Sequence, residues 1–248
     1  MKIIGVIPAR FASTRFPGKP LADIFGKSMI QRVYEQASKS GVLSRILVAT
    51  DDQRIFDHVI SFGGEVVMTS AHHQSGTSRC HEVVEKLSDL LPNVVINIQG
   101  DEPFIDPQQI DLLARMFSDK KIEIATLVKK IHSSDELFNT NVVKSVKSQD
   151  GRALYFSRSP IPFLRGAEQP EWLQKGTFYK HIGIYAYRTE ILKEIVQFPP
   201  SPLEIAESLE QLRWIENGLA IYTSETDFEG FAVDTPEDLV KIINTHSA

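Results

Sequence analysis

The chain has 248 residues, 42% of them hydrophobic and 24% charged, which is ample for one large α/β domain with its own core. A net charge of −5 excludes a general attraction to nucleic acid, and the lone cysteine, Cys80, excludes an internal disulfide and a cysteine-rich metal site. The single thiol agrees with a reducing compartment.

Residues 2–8 read as a buried first strand. Met1-Lys2-Ile3-Ile4-Gly5-Val6-Ile7-Pro8 is too short an apolar run for a secretory signal and has no small-residue cleavage site. No later run approaches the ~18 apolar residues of a membrane helix. Further strands are predicted at 45–50, 65–69 and 93–99, with helical spacing over 28–40, 52–62 and 75–90. This βαβα order predicts an α/β fold of Rossmann type, a mostly parallel mixed sheet with helices on both faces. Arg45-Ile46-Leu47-Val48-Ala49-Thr50 is apolar on both sides, as a strand covered on both faces requires.

Beyond about residue 120 the pattern changes. Residues 142–147 and 153–157 predict a hairpin turning near Asp150-Gly151, and His181 to Arg188 a further strand. An irregular stretch at 160–176 separates them. We expect residues 139–200 to form a small inserted lobe, for dimerisation or substrate binding, within one domain spanning 1–248. A helix is predicted over 202–217, with Ser201 as cap, Pro202 first, Glu204 closing a capping box and Gly218 past its end. A short strand near Phe231 is expected to end in Val233-Asp234. The last helix follows, with Thr235 as cap, Pro236 next and Asp238 three residues after the cap.

In open α/β sheets, ligands bind beyond the carboxyl ends of the strands. The first predicted strand runs into a basic loop carrying Arg10, Arg15 and Lys19, in which Pro17, Gly18 and Pro20 forbid a regular helix. Other strand ends carry Asp51, Asp101 and Asp234. Cations suit phosphate oxygens and carboxylates suit a metal, so this pairing fits a metal–polyphosphate complex, with Asp101 and Asp234 as the Mg²⁺ pair. A solvated charge cluster and helix-capping aspartates are the plain alternatives, which spacing alone leaves open. Gly26-Lys27-Ser28 is not the end of a Walker A loop, because Leu21 stands where the first glycine belongs. His72, His73 and His81 match no helical zinc motif.

Several blocks together resemble one family. Pro8-Ala9-Arg10, Ala12-Ser13-Thr14-Arg15 and Pro17-Gly18-Lys19-Pro20-Leu21 look like the opening of the sugar-acid cytidylyltransferases. His73-Gln74-Ser75-Gly76-Thr77, Asn97-Ile98-Gln99-Gly100-Asp101-Glu102-Pro103 and Ala153-Leu154-Tyr155-Phe156-Ser157-Arg158 narrow the resemblance. So do His181-Ile182-Gly183-Ile184-Tyr185, Leu209-Glu210-Gln211-Leu212-Arg213 and Val233-Asp234-Thr235-Pro236-Glu237-Asp238. The set is similar to the 3-deoxy-manno-octulosonate (Kdo) cytidylyltransferases, or CMP-Kdo synthetases, over nearly the whole chain.

The resemblance implies a nucleotide-diphospho-sugar transferase fold and transfer of CMP from CTP to the anomeric hydroxyl of Kdo. It further implies Mg²⁺ as cofactor and a cytoplasmic homodimer that feeds lipopolysaccharide synthesis in Gram-negative bacteria. Arg10, Arg15 and Lys19 would serve the phosphates, and Ala9, Ser13, Ser75, Gly76 and Gln99 would complete the nucleotide site. Arg79, Gln99, Arg158, His181, Tyr185, Glu210 and Gln211 would line the sugar pocket, while Asp101 and Asp234 would hold the metal. One position departs from the family pattern: Ser78 replaces the usual acidic residue, which leaves a related acid, 8-amino-Kdo or a sialic acid, as an alternative acceptor. A nucleotide-sugar-dependent glycosyltransferase is a further alternative, although Gln99-Gly100-Asp101 is not the usual Asp-x-Asp motif. A nucleotide-binding regulator without turnover is the third.

Overall fold

The computed structural model describes residues 1–12, 15–87, 91–228 and 230–246. In chain order the first half contains β1 (Ile3–Ala9), β2 (Asp23–Ile24), β3 (Lys27–Ser28), α1 (Met29–Ala37), β4 (Arg45–Thr50), α2 (Gln53–Ser61), β5 (Glu65–Met68), α3 (Gly76–Lys86), β6 (Val94–Asn97) and α4 (Pro107–Met116). The second half adds β7 (Ile124–Lys130), α5 (Ser134–Phe138), β8 (Lys144–Lys147), β9 (Ala153–Ser157), α6 (Trp172–Lys175), β10 (Tyr179–Arg188) and α7 (Thr189–Ile195). It closes with α8 (Pro202–Glu207), α9 (Gln211–Glu216), β11 (Ile221–Glu225) and α10 (Pro236–His246).

The main sheet runs β11-β7-β10-β6-β1-β4-β5. β1 is parallel to β4 and β6, so the three strands end on the same side. β10 enters antiparallel between β6 and β7, which makes the sheet mixed. Alternation along the strands feeds two cores. Ile3, Ile7 and Ala9 of β1 pack beneath α1, α2 and α4, while Ile4 and Val6 pack beneath α3, α7 and α9. β4 divides in the same way, Ile46 and Val48 against Leu47 and Ala49. Each buried Ile, Leu or Val among them contributes roughly 1.5–3 kcal/mol by leaving water.

Within residues 139–200, the β8–β9 hairpin joins the start of β10, and the rest of β10 lies inside the main sheet. A separate small core gathers Ile131, Leu137, Trp172 and Phe178.

Two expected elements differ. The helix expected over 202–217 is broken in two: Ser208 adopts φ 52, ψ 50, a left-handed turn between α8 and α9. Tertiary contacts hold that turn. Arg158 donates from Nε to the Glu207 carbonyl at 2.7 Å, and the Glu207 carboxylate accepts from Ser157 Oγ at 2.6 Å and the Arg158 N–H at 2.9 Å. The start of the helix is as expected, with Glu204 accepting the Ser201 N–H and Pro202 first. No strand forms near Phe231 among the described residues. The Val233 N–H instead donates to the Asp101 carbonyl at 2.9 Å, which fastens this segment to the end of β6. The strands β7 and β11 and the helices α4 and α7 lie outside the elements expected from sequence. The helix expected over 75–90 is described as far as Lys86, and residues 88–90 lie outside the described residues.

Candidate active site

β1 ends at buried Ala9, and exposed Arg10 begins the basic loop. Ser13, expected in the phosphate loop, lies outside the described residues. The loop returns where the Gly18 N–H donates to the Phe11 carbonyl at 3.0 Å. Gly18 has φ 73, and a Cβ there would meet the Phe11 ring at 3.1 Å, so glycine is required twice over. The Phe11 ring also carries the Arg54 guanidinium, 3.3 Å from its centroid. A short turn over Lys19–Leu21 then directs Lys19 inward.

Lys19 Nζ lies 2.8 Å from Asp101 Oδ2 and 3.7 Å from Asp234 Oδ1, and donates to the Val233 carbonyl at 2.8 Å. Arg15 Nη2 reaches Asp234 Oδ1 at 3.0 Å. Asp234 is not the cap of α10. Thr235 Oγ1 accepts the Asp238 N–H at 3.3 Å, and Asp238 Oδ2 accepts the Asp234 and Thr235 N–H groups at 3.3 and 3.1 Å. The Asp234 carboxylate is therefore available to cations. Asp101 is placed by a tight approach of the chain to β1: a Cβ on Gly100 would sit 2.6 Å from the Pro8 carbonyl oxygen.

α3 points its N-terminus at the same place. Ser75 caps it, its Oγ accepting the Ser78 N–H at 3.2 Å. Together these groups surround a cavity of about 250 Å³. Ala9, Arg10, Arg15 and Lys19 line it from the β1 side, Ser75, Gly76 and Arg79 from α3, and Gln99, Asp101 and Asp234 from the far wall. Basic side chains, a helix N-terminus and two carboxylates thus meet in one space, as a metal–nucleotide complex requires.

A second cavity of about 450 Å³ shares Gln99, Asp101 and Asp234 with the first. Its other walls carry Glu102, Glu136, Asn141, Lys180 and His181. Lys180 pairs with Glu136. Burial, and then the Asp101 charge, push the Glu102 carboxyl up to about 7. His181 Nε2 lies 2.9 Å from Thr126 Oγ1, and burial pushes its imidazole down to about 3.

The residues expected in the sugar pocket divide. Gln99 and His181 face the second cavity, and Arg79 faces the first. Arg79 is buried, donating to Thr69 Oγ1 at 2.7 Å and pairing with Asp51 at 3.3 Å. Arg158, Tyr185, Glu210 and Gln211 line neither cavity. Arg158 spends its donors on the carbonyls of Glu207, Thr140 and Ser208. Glu210 accepts from Thr77 Oγ1 at 2.7 Å, and Gln211 is buried in α9. Tyr185 is buried against His181, with ring centroids 5.2 Å apart, and burial followed by the Glu210 charge raises its phenol well above the usual value.

The Ser78 departure falls beside the first cavity. Ser78 Oγ lies 3.1 Å from His73 Nδ1 and bonds the Ser75 carbonyl at 3.1 Å, while Glu82 holds His73 Nε2. The wall residues Glu102, Glu136, Asn141 and Lys180 were not among the expected site residues. Glu102 adjoins Asp101 in the chain, which was the available signal; the other three meet only through tertiary structure.

The fit of Mg²⁺ is judged from the donors that surround the site. Among the described residues no group of three or more His, Cys, Asp or Glu side chains is arranged to hold a metal. Two carboxylates converging on one ammonium nevertheless form a site for one cation, and Mg²⁺ needs only one or two carboxylates beside phosphate oxygens and water. The donor set fits.

Residues 4–226 match the model of a family described as cytidylyltransferase. A relative from Parabacteroides distasonis, 3-deoxy-manno-octulosonate cytidylyltransferase, is 56% identical over 98% of this chain and 97% of its own. A relative of the same description from Cytophaga hutchinsonii is 52% identical over 100% of this chain and 98% of its own. A solved structure described as CMP:2-keto-3-deoxy-manno-octonic acid synthetase complexed with CTP superposes with a TM-score of 0.92 at 44% identity, covering 100% and 99% of the two chains. The fold alone is shared with 4-diphosphocytidyl-2C-methyl-D-erythritol synthase from Anaerococcus prevotii, with a TM-score of 0.63 at 12% identity. With the family model, the near full-length identity and the superposition in agreement, the chain belongs to the 3-deoxy-manno-octulosonate cytidylyltransferase family.

Proposed function

We propose that this chain transfers CMP from CTP to the anomeric hydroxyl of Kdo, forming CMP-Kdo and pyrophosphate. One observation carries the reading: two cavities share a wall made of Gln99, Asp101 and Asp234. A nucleotide in the first cavity and a sugar acid in the second would meet at the paired carboxylates.

The anomeric oxygen forms a bond to the α-phosphorus while the bond from that phosphorus to the pyrophosphate oxygen breaks. The hydroxyl proton passes to water. No covalent enzyme intermediate is needed, so the protein's work is positioning and charge compensation. Arg10, Arg15 and Lys19 bind phosphate oxygens and compensate the charge that develops on pyrophosphate. Ala9, Ser75 and Gly76 receive the nucleoside end, Ser75 at the N-terminus of α3. Asp101 and Asp234 would hold Mg²⁺, which when bound supplies Lewis-acid stabilisation of phosphoryl charge. Lys19 pairs with both carboxylates, and Arg15 adds a second positive charge at Asp234. Gln99 and His181 orient the acceptor.

The position of Ser78 supports the ordinary acceptor, because it lies behind His73 and Ser75 of the first cavity and does not line the second. No helix among the described residues is long and apolar enough to cross a membrane. A homodimer working in the cytoplasm belongs to the same proposal, on the family resemblance, and light scattering after size exclusion tests the dimer. A panel of sugar acids, Kdo, 8-amino-Kdo and a sialic acid, each incubated with CTP and MgCl₂, tests the reaction. CMP-Kdo as the dominant product by mass supports it. A dominant product from another acid, or none, overturns it.

A further inference from the structure

Thr126 lies on β7, opposite the irregularity in β10 between Ile182 and Tyr185. Its buried hydroxyl oxygen stands 2.9 Å from His181 Nε2, 2.8 Å from the Ile184 carbonyl oxygen and 3.1 Å from the Ile182 carbonyl oxygen. A hydroxyl has one proton to donate. The carbonyls can only accept, whereas a neutral imidazole nitrogen can do either. Were the hydroxyl to donate to Nε2, its lone pairs would face two carbonyl oxygens with no proton between them. The arrangement with less of that repulsion sends the Thr126 proton to one of the carbonyls and makes Oγ1 the acceptor of an Nε2–H. The neighbouring Tyr185 hydroxyl makes no hydrogen bond among the described residues, so it does not compete for the Thr126 oxygen.

The His181 ring is neutral at neutral pH, because burial disfavours its cation. A neutral ring protonated on Nε2 carries a bare lone pair on Nδ1. Among the described residues the ring's hydrogen bond is made through Nε2 and none through Nδ1, and His181 lines the second cavity. We infer that Thr126 is a positioning residue that fixes His181 as the Nε2–H tautomer, so that Nδ1 accepts a hydrogen bond from a hydroxyl of the acceptor sugar. The inference rests on the second cavity being the acceptor site. A ring this weakly basic is no general base, so its contribution is orientation of the acceptor and selection for a hydroxyl donor.

The test joins a spectrum to kinetics on the full-length chain. In ¹⁵N-labelled wild-type protein, imidazole correlation spectra are expected to show His181 Nε2 protonated and Nδ1 unprotonated. Thr126→Val removes the hydroxyl at near-constant shape. It is expected to lose the tautomer preference and to raise the KM for the sugar acid about tenfold, equivalent to about 1.4 kcal/mol, with the CTP KM unchanged. Thr126→Ser is expected to restore both. A wild-type spectrum with the proton on Nδ1 overturns the inference without recourse to any variant or to turnover. So does a Thr126→Val protein whose tautomer shifts while its sugar-acid KM stays at the wild-type value. A chain with the expected tautomer that transfers CMP to no sugar acid overturns the proposed function, and with it the acceptor assigned to Nδ1.

Discussion

Lys19 Nζ lies 2.8 Å from Asp101 Oδ2, although 82 residues separate them in the chain. The contact joins the loop after β1 to the end of β6, and Asp234 completes it from just before α10. These three side chains stand on the wall common to the two cavities or face it, so their charges act where the phosphoryl group would transfer.

Removing either carboxylate should therefore damage chemistry rather than folding. Asp101→Asn and Asp234→Asn are each expected to lower kcat by ~10²–10³, the usual cost of losing one charge-stabilising group. Circular dichroism and melting temperature should stay near the wild type, because Asp234 is half exposed and neither residue belongs to a hydrophobic core. Steady-state release of pyrophosphate checks the first part, and a thermal melt the second.

Glu102 gives stability a pH dependence of defined sign. Its carboxyl is raised from 4.5 to about 7 in the folded chain, chiefly by burial. Its contribution is fully present below the unfolded value and is lost as pH rises through 7. A shift of that size corresponds to about 3 kcal/mol as an order of magnitude. Glu102→Gln is expected to flatten the stability profile between pH 4.5 and 7, as read by urea unfolding at several pH values. An unchanged profile would show that Glu102 titrates normally.

Cys80 is buried in the core beneath α3, and burial pushes its thiol far above the ordinary range. It should resist a thiol reagent such as DTNB in the native chain and react once the chain is unfolded. Rapid modification of the native protein, with activity retained, would contradict this placement.

Arg158 tests whether a residue expected at the sugar instead holds the backbone. Its donors bind carbonyls that shape the left-handed turn at Ser208. Arg158→Ala should cost about 1.5–3 kcal/mol of stability in all, because its part-exposed contacts are partly replaced by water. Under the structural role, the KM values of the surviving folded enzyme should stay near those of the wild type. A large rise in sugar-acid KM without destabilisation would give Arg158 the substrate role implied by the family resemblance.

The central strands are legible in the sequence because burial on both faces selects an apolar run, as at residues 46–49 of β4. Lys19, Asp101 and Asp234 are legible for a related reason: each follows or adjoins the end of a strand or loop, where polar residues have no structural task in the core. The break in the helix expected over 202–217 is not legible, because Arg158 and Glu207 make it from 49 positions apart. The segment near Phe231 reads as a strand from its local pattern, yet its backbone partner is Asp101 and not a neighbouring strand. The pairing of Lys180 with Glu136, and the hydroxyl of Thr126 beside His181, likewise exist only after the chain has folded.

The most direct measurement is the rate of CMP-Kdo formation against Mg²⁺ concentration for the wild type and for Asp101→Asn combined with Asp234→Asn. The account expects no product from the wild type in excess chelator, saturating turnover as Mg²⁺ rises, and no recovery of the double variant at any metal concentration. Product formed at the wild-type rate by the double variant, or by the wild type with all divalent metal removed, would contradict it.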